Sequence, residues 1–147
     1  MGKIIKFNDK YIDDIVNLFL VVFENEPWND NWPSPHKAKN YLLDIVNTPG
    51  FKGYIHLTGE KISGVLLGNV VRWWEGDEFF IKEFFVDKKY QGKGIGTKII
   101  KHLEIKLDNE DIKTFILLTQ KHTPAAEFYE KNQFKVSSHT VFMFKNL

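Results

Sequence analysis

The chain contains no cysteine. That excludes a disulfide framework, a thiolate zinc site and a cysteine nucleophile. It also fits a reducing compartment, so a cytoplasmic location is the expectation. Charge of one sign is missing too. Twenty Lys and Arg against nineteen Asp and Glu leave a formal net charge of +1, so neither nucleic acid nor a membrane surface is an expected partner. No apolar run approaches the ~20 residues of a membrane span. The opening MGKIIKFNDKYIDDIV lacks the uninterrupted apolar core of a secretory signal. His36, His56, His102, His122 and His139 are scattered, none paired at metal-ligand spacing, so no metal site is expected. Repeats and low-complexity segments are absent.

What the chain has in quantity is aromatic side chains: thirteen Phe, five Tyr and four Trp. That exceeds the needs of packing and points to an aromatic-lined pocket. Its 147 residues fit one domain with a real core. Ile4 to Phe7 reads as a short strand. From Tyr11, Ile12, Ile15, Val16, Phe19, Leu20 and Phe23 recur at helical spacing, and Pro27 ends that helix. Ser34-Pro35 opens a second helix as cap plus first-turn proline, with Ala38, Tyr41, Leu42 and Ile45 on one face. Three strands follow: Gly53 to Thr58, Ile62 to Trp73 and Glu78 to Val86. Gly59-Glu60 and Glu75-Gly76-Asp77 are turns, and Gly64 and Gly68 mark candidate bulges. Ile95, Ile99, Leu103 and Leu107 mark a long amphipathic helix; TFILLT (Thr114 to Thr119) is a buried-type strand; Thr123-Pro124 opens a last helix; Phe134 to Phe144 reads as one or two closing strands. The order predicts an α/β (α+β) fold: a mixed, mostly antiparallel sheet of six to seven strands flanked by about four helices.

The chemistry concentrates in one run, Val86-Asp87-Lys88-Lys89-Tyr90-Gln91-Gly92-Lys93-Gly94-Ile95-Gly96-Thr97. An apolar strand feeds a glycine-rich loop that opens directly into a helix. Glycines at alternate positions let the backbone turn with φ > 0 and let its N–H groups converge. The helix N-terminus adds unpaired donors and a partial positive charge. Together they form a phosphate cradle, and a polyphosphate is the natural guest. The spacing is neither the GxGxxG of a dinucleotide fold nor the GxxxxGK[ST] of a P-loop.

Gln-x-x-Gly-x-Gly, from Gln91 to Gly96, follows a strand ending in Val-Asp and precedes an amphipathic helix. It resembles the acetyl-CoA-binding motif of the GCN5-related N-acetyltransferase (GNAT) superfamily. The likeness continues in LLTQKHTPAAEFYEKNQF (Leu117 to Phe134), with the pattern Ala-x-x-Phe-Tyr-x-Lys-x-x-Phe. The specific match covers Glu78 to Phe134; upstream, the order of elements agrees. Three positions depart from the pattern: Gln91 replaces the frequent Arg, His122 replaces an Asn that commonly touches the cofactor, and Gln133 replaces a Gly.

The resemblance implies acetyl-CoA as the cofactor and a primary amine as the acceptor. It puts the diphosphate on residues Gln91, Gly92, Lys93, Gly94, Ile95, Gly96 and Thr97, with His122 nearby. It lays the pantetheine arm along the strand ending in Phe84-Phe85-Val86, where Phe85 or Val86 would polarise the thioester carbonyl. Tyr129 would protonate the leaving sulfur, against a plainer reading as a packed aromatic beside Phe128. Glu83 interrupts an apolar strand just upstream of that site and is the first choice of base, ahead of Glu78 and Asp77; its plainer reading is a pleat position facing water. A lysine-like ammonium presents its free base at pH 7 at a cost of about 4–5 kcal/mol, which a carboxylate would relieve. Without cysteine or a Ser-His-Asp set, direct transfer in a ternary complex is the expected scheme. The acceptor is expected under the loop carrying Glu26, Trp28, Asp30 and Trp32, with Trp74 in a second acidic-aromatic patch; acids and indole faces suit a small cationic molecule of aminoglycoside or polyamine type. A homodimer is compatible with this reading. The alternatives are a non-catalytic acyl-CoA sensor, a protein N-acetyltransferase, or a single-stranded nucleic-acid binder, which the near-zero charge disfavours.

Overall fold

The computed structural model describes residues 2–147. Strand β1 (Gly2–Lys6) leads into helix α1 (Ile12–Phe23) and helix α2 (Pro35–Val46). Strands β2 (Phe51–Thr58), β3 (Lys61–Val71) and β4 (Asp77–Val86) follow, then helix α3 (Ile95–Asp108), strand β5 (Ile112–Leu117) and helix α4 (Pro124–Lys131). The sheet order is β1-β2-β3-β4-β5. Neighbours are antiparallel except β4 and β5, which α3 joins as a parallel crossover. Caps read from the sequence are in place. Ser34 Oγ accepts from Lys37 N at 3.1 Å, and Thr123 Oγ1 accepts from Ala126 N at 3.2 Å.

Helices cover both faces of the sheet. On one, Ile15, Phe19, Ala38 and Leu42 of α1 and α2 pack against Ile55, Val65, Leu67 and Phe85. On the other, Ile95, Ile99, Ile100, Leu103 and Leu107 of α3 pack against Tyr54, Leu66, Phe79 and Ile81. A strand buried on both sides has no polar face, which is why Val65-Leu66-Leu67 is continuous and fully buried. Each buried Leu, Ile or Phe contributes about 1.5–3 kcal/mol.

Two irregularities shape the sheet. Ser63 is the extra residue of β3 against β2, since His56 pairs with Gly64 and Leu57 with Ile62. Lys82 is the extra residue of β4 against β3, since Leu67 pairs with Glu83 and Gly68 with Ile81. Both lie beside the glycines expected to mark bulges.

The sheet departs from expectation in strand number: it has five strands, not six to seven. The residues read as closing strands, Phe134 to Phe144, form none. Residues 135–147 are exposed, and no strand of the same chain lies alongside to complete their backbone hydrogen bonds. Among the described residues no helix is long and apolar enough to cross a membrane.

Gly68 sits where the bulge presses β3 against β4. A Cβ there would lie 2.3 Å from the Phe80 carbonyl oxygen and 2.7 Å from the Phe79 ring. Because the obstacle is backbone, Gly68→Ala is expected to cost about 1–3 kcal/mol, read as a lower midpoint in urea denaturation; an unchanged midpoint would show that the strands part freely at this point.

Candidate active site

The Lys82 bulge decides which way Glu83 faces. Along an unbroken strand, Phe79, Ile81 and Glu83 would share one face, because side chains alternate. One extra residue shifts that phase. Phe79 and Ile81 belong to the α3 core, whereas Phe85, two residues beyond Glu83, belongs to the α1–α2 core. Glu83 is thereby turned toward α2, where Tyr41 Oη donates to its Oε1 at 2.5 Å.

The Glu83 carboxyl is partly buried. Burial pushes it up to about 7, the Tyr41 hydrogen bond pulls it down, and the Asp30 charge pushes it up again. The Tyr41 hydroxyl is held well above the usual phenol range by burial and by the charge and hydrogen bond of Glu83. From α4, the Tyr129 hydroxyl is pushed up to about 12, by burial first and by the Glu83 charge second. One carboxylate thus bears electrostatically on a phenol from each side of the sheet. Tyr129 is fixed by aromatic contacts at 5.5 Å to Phe128, 5.4 Å to Phe134 and 6.3 Å to Phe84.

Beside Glu83 the sheet opens. The pairing of β4 with β5 ends at Ile81 and Leu117, so the β5-facing edge of Lys82 to Val86 has no strand on it. Asp87 N donates to Ser63 O at 2.9 Å, directly across the antiparallel pair. Alternation from that bond turns the main-chain groups of Phe85 and Glu83 toward β3, and those of Phe84 and Val86 toward the opening. The N–H groups of Phe84 and Val86 therefore line the gap. Phe85, named with Val86 from the sequence as a carbonyl-polarising donor, has its N–H on the β3 side.

At the end of β4 the chain makes a 3-10 turn (Lys88–Tyr90), capped by Asp87 Oδ1 accepting from Lys89 N at 3.0 Å. Gln91 folds back, its Nε2 donating to Val86 O at 2.9 Å, and so braces the loop against the strand. Gly92 and Gly94 have φ of 76° and 80°, and a Cβ on either would meet only open space. Gly94 is the N-cap of α3 and offers no side-chain cap. Among the described residues, the N–H groups of 92–97 have no acceptor within the protein. Uncapped donors at the positive end of a fourteen-residue helix suit a diphosphate. Ile95 is buried in the α3 core and adds only its N–H; Thr97 is exposed. Lys93 Nζ lies 5.6 Å from the centroid of the Tyr90 ring. His122 is exposed, at φ 61°, just before α4.

The acceptor-side residues are divided. Trp32 packs on Phe19 at 5.3 Å and on Tyr41 at 5.4 Å, and its buried Nε1 has no hydrogen-bond partner within the protein. Trp28 packs on Phe23 at 5.6 Å. Asp30 is close enough to bear on both Glu83 and Tyr41, while Glu26 is exposed. Trp74 is not part of this cluster. It is 81% exposed in the turn before β4, with Asp77 and Glu78 at the start of the strand. The five residues from Glu78 to Glu83 span about 16 Å. Sequence reasoning missed Tyr41, which was placed only on the buried face of α2. No local signal pairs it with Glu83, forty-two residues away.

Comparison with known proteins bears on the family and the fold. The model of the acetyltransferase (GNAT) family matches residues 12–134. No curated protein sequence matches the chain. Solved structures share the fold at low identity. An aminoglycoside acetyltransferase from an uncultured soil metagenomic sample, in complex with trehalose, is 22% identical with TM-score 0.76, over 99% of this chain and 96% of that one. A possible acetyltransferase from Clostridium difficile 630 is 16% identical with TM-score 0.83, over 100% and 99%. Ribosomal-protein-alanine N-acetyltransferase from Brucella melitensis biovar Abortus 2308 is 10% identical with TM-score 0.76, over 99% and 100%. With the family model covering the glycine loop, the opened strand pair and the Tyr129 helix alike, the chain belongs to the acetyltransferase (GNAT) family.

Proposed function

We propose that the chain transfers the acetyl group of acetyl-CoA directly onto the primary amine of a small cationic molecule. The observation that carries this reading is the convergence of Tyr41, Glu83 and Tyr129 beside the opening between β4 and β5, within one strand and one turn of an unfilled row of N–H donors. Acetyl-CoA supplies a thioester-activated acetyl group. The N–H groups of 92–97 would hold its diphosphate, and the edge of Phe84 and Val86 would pair with its amides. The Phe84 N–H would face the reacting carbonyl as a single oxyanion donor. With a pKa near 7, Glu83 is matched to taking a proton from an ammonium at neutral pH. Tyr129, its pKa pushed up to about 12, stays protonated and has a proton to give to the departing sulfur.

The acceptor side supports a cation that also carries hydroxyls. Asp30 and Glu83 provide negative charge, Trp32 packs on the Tyr41 ring whose hydroxyl holds Glu83, and the unpaired Trp32 Nε1 would donate to an acceptor oxygen. An aminoglycoside fits that description, and a fold neighbour of 21% identity is an aminoglycoside acetyltransferase in complex with sisomicin. Trp74 would touch only a long acceptor.

Replacing Gly94 by Asp projects a carboxylate into the space reserved for the diphosphate and strains the φ of 80°. Coenzyme A affinity by calorimetry is expected to fall at least about tenfold, or about 1.4 kcal/mol, and unchanged affinity would remove the loop from the site. Tyr129→Phe is expected to lower kcat about 10²-fold with coenzyme A affinity retained; full turnover with an acceptor found in an amine screen would exclude it as the acid. Since the base must be ionised, kcat/KM should rise with pH through about 7. Tyr41→Phe removes the bond that favours the carboxylate, so the rising limb should move to higher pH; a limb that stays in place would mean another group is titrating. A chain that binds coenzyme A but turns over no amine would be a sensor.

A further inference from the structure

The last core residue of α3 is Leu107, and the chain turns just beyond it: Glu110 N donates to Leu107 O at 3.0 Å, and Asp111 N to Asp108 O at 3.2 Å. Past that turn lies a cavity of about 590 Å³, a volume typical of small-molecule sites. Strand alternation builds it. Lys52 follows the face of Tyr54, Arg72 that of Val70 and Asp77 that of Phe79, and all three guides pack in the α3 core. β5 contributes Ile112, and the turn after α3 contributes Glu110. The length of β4 (Asp77–Val86), about 30 Å, separates this cavity from the glycine loop.

Four charged side chains line the cavity: Lys52 and Arg72 against Asp77 and Glu110. Lys52 Nζ lies 2.7 Å from Glu110 Oε2, so that pair satisfies itself. Arg72 and Asp77 remain. Val71 pairs with Glu78, and the next step of the ladder sets Arg72 opposite Asp77 on the neighbouring strand. Residues so placed are about 5 Å apart at Cα. Among the described residues, however, neither takes part in an ion pair. Arg72 is also the only arginine in the chain. A guanidinium matches a carboxylate through two parallel N–H bonds, and a free aspartate suits an ammonium. With its charges balanced, the lining is unsuited to a polyphosphate or a polyamine. It suits a molecule that carries one carboxylate and one ammonium close together. Val70 and Ile112 add an apolar wall beside them.

We propose that this cavity is a second ligand site, which takes the zwitterionic head of a free α-amino acid between Arg72 and Asp77, with the amino acid's side chain over Val70 and Ile112. The site is remote from the acetyl-transfer site and does not depend on the catalytic reading.

The test is an amide NMR titration of the full chain with the standard amino acids, one at a time, at millimolar concentration. At least one is expected to shift the amides of Gly50 to Lys52, Val70 to Arg72, Asp77 and Glu110 to Ile112. That amino acid is then replaced by its decarboxylated amine and by its N-acetyl derivative. Each lacks one of the two charges, and each should bind at least about tenfold more weakly. This comparison uses the unaltered chain and needs no variant. Arg72→Gln and Asp77→Asn should each weaken the same amino acid by about the same factor while keeping coenzyme A affinity. No response from any amino acid, shifts centred on Glu83 and residues 92–97, or equal binding of either analogue would overturn the assignment. So would unchanged affinity in both variants.

Discussion

One inserted residue in β4 sets the geometry on which the site depends. Without Lys82 as a bulge, Glu83 would continue the face of Phe79 and Ile81 and enter the α3 core as a carboxylate among isoleucines and leucines. With it, the strand feeds two cores in succession, and the single acid of its second half meets a hydroxyl from α2. The strand loses its β5 neighbour at the same level, so a side-chain acid and a free main-chain edge appear together. The glycine loop then turns the chain so that the first turn of α3 lies beside that strand, where a Cβ on Gly96 would fall 3.7 Å from the Phe84 ring. A buried acid, an opening and a row of free N–H groups follow one another where a single strand ends its regular pairing.

The electrostatics follow from how little of this is compensated. Raising a carboxyl from 4.5 to about 7 corresponds to about 3 kcal/mol against the charged form. Burial therefore outweighs the Tyr41 bond, even though a hydrogen bond to a charged group is among the stronger ones. Because the folded pKa lies above the unfolded one, ionising Glu83 costs stability as pH rises from about 4.5 to about 7, and that cost persists above it. The α1–α2 core, with Phe19, Leu42 and Phe85 packed beneath Tyr41 and Trp32, offsets it. A carboxylate kept at this cost, with a proton affinity suited to neutral pH, is what general-base chemistry requires.

Most of the fold was legible because its signals are local. Ser34-Pro35 and Thr123-Pro124 start helices through their own side chains, and the Gly92–Gly96 spacing creates its own backbone geometry. Glu83 stood out as an acid in an apolar strand. Tyr41 did not, because its role depends on a register shift between two strands and on the packing of a third element, none of which leaves a mark near residue 41. Trp74 was grouped with the acceptor residues by composition, yet it lies at the opposite end of β4. The closing strands were read from residue types alone. A strand needs an edge to pair with, and whether that edge belongs to the same chain is not written in the segment.

The central claim is that main-chain amides after β4 grip a diphosphate, while the open edge of β4 receives the arm that follows it. An amide NMR titration with coenzyme A tests it most directly. The largest shifts should fall on residues 92–97, with Phe84 and Val86 following and Trp74 unaffected. Shifts centred on the opposite end of the sheet, or a glycine loop that does not respond at saturation, would contradict the account.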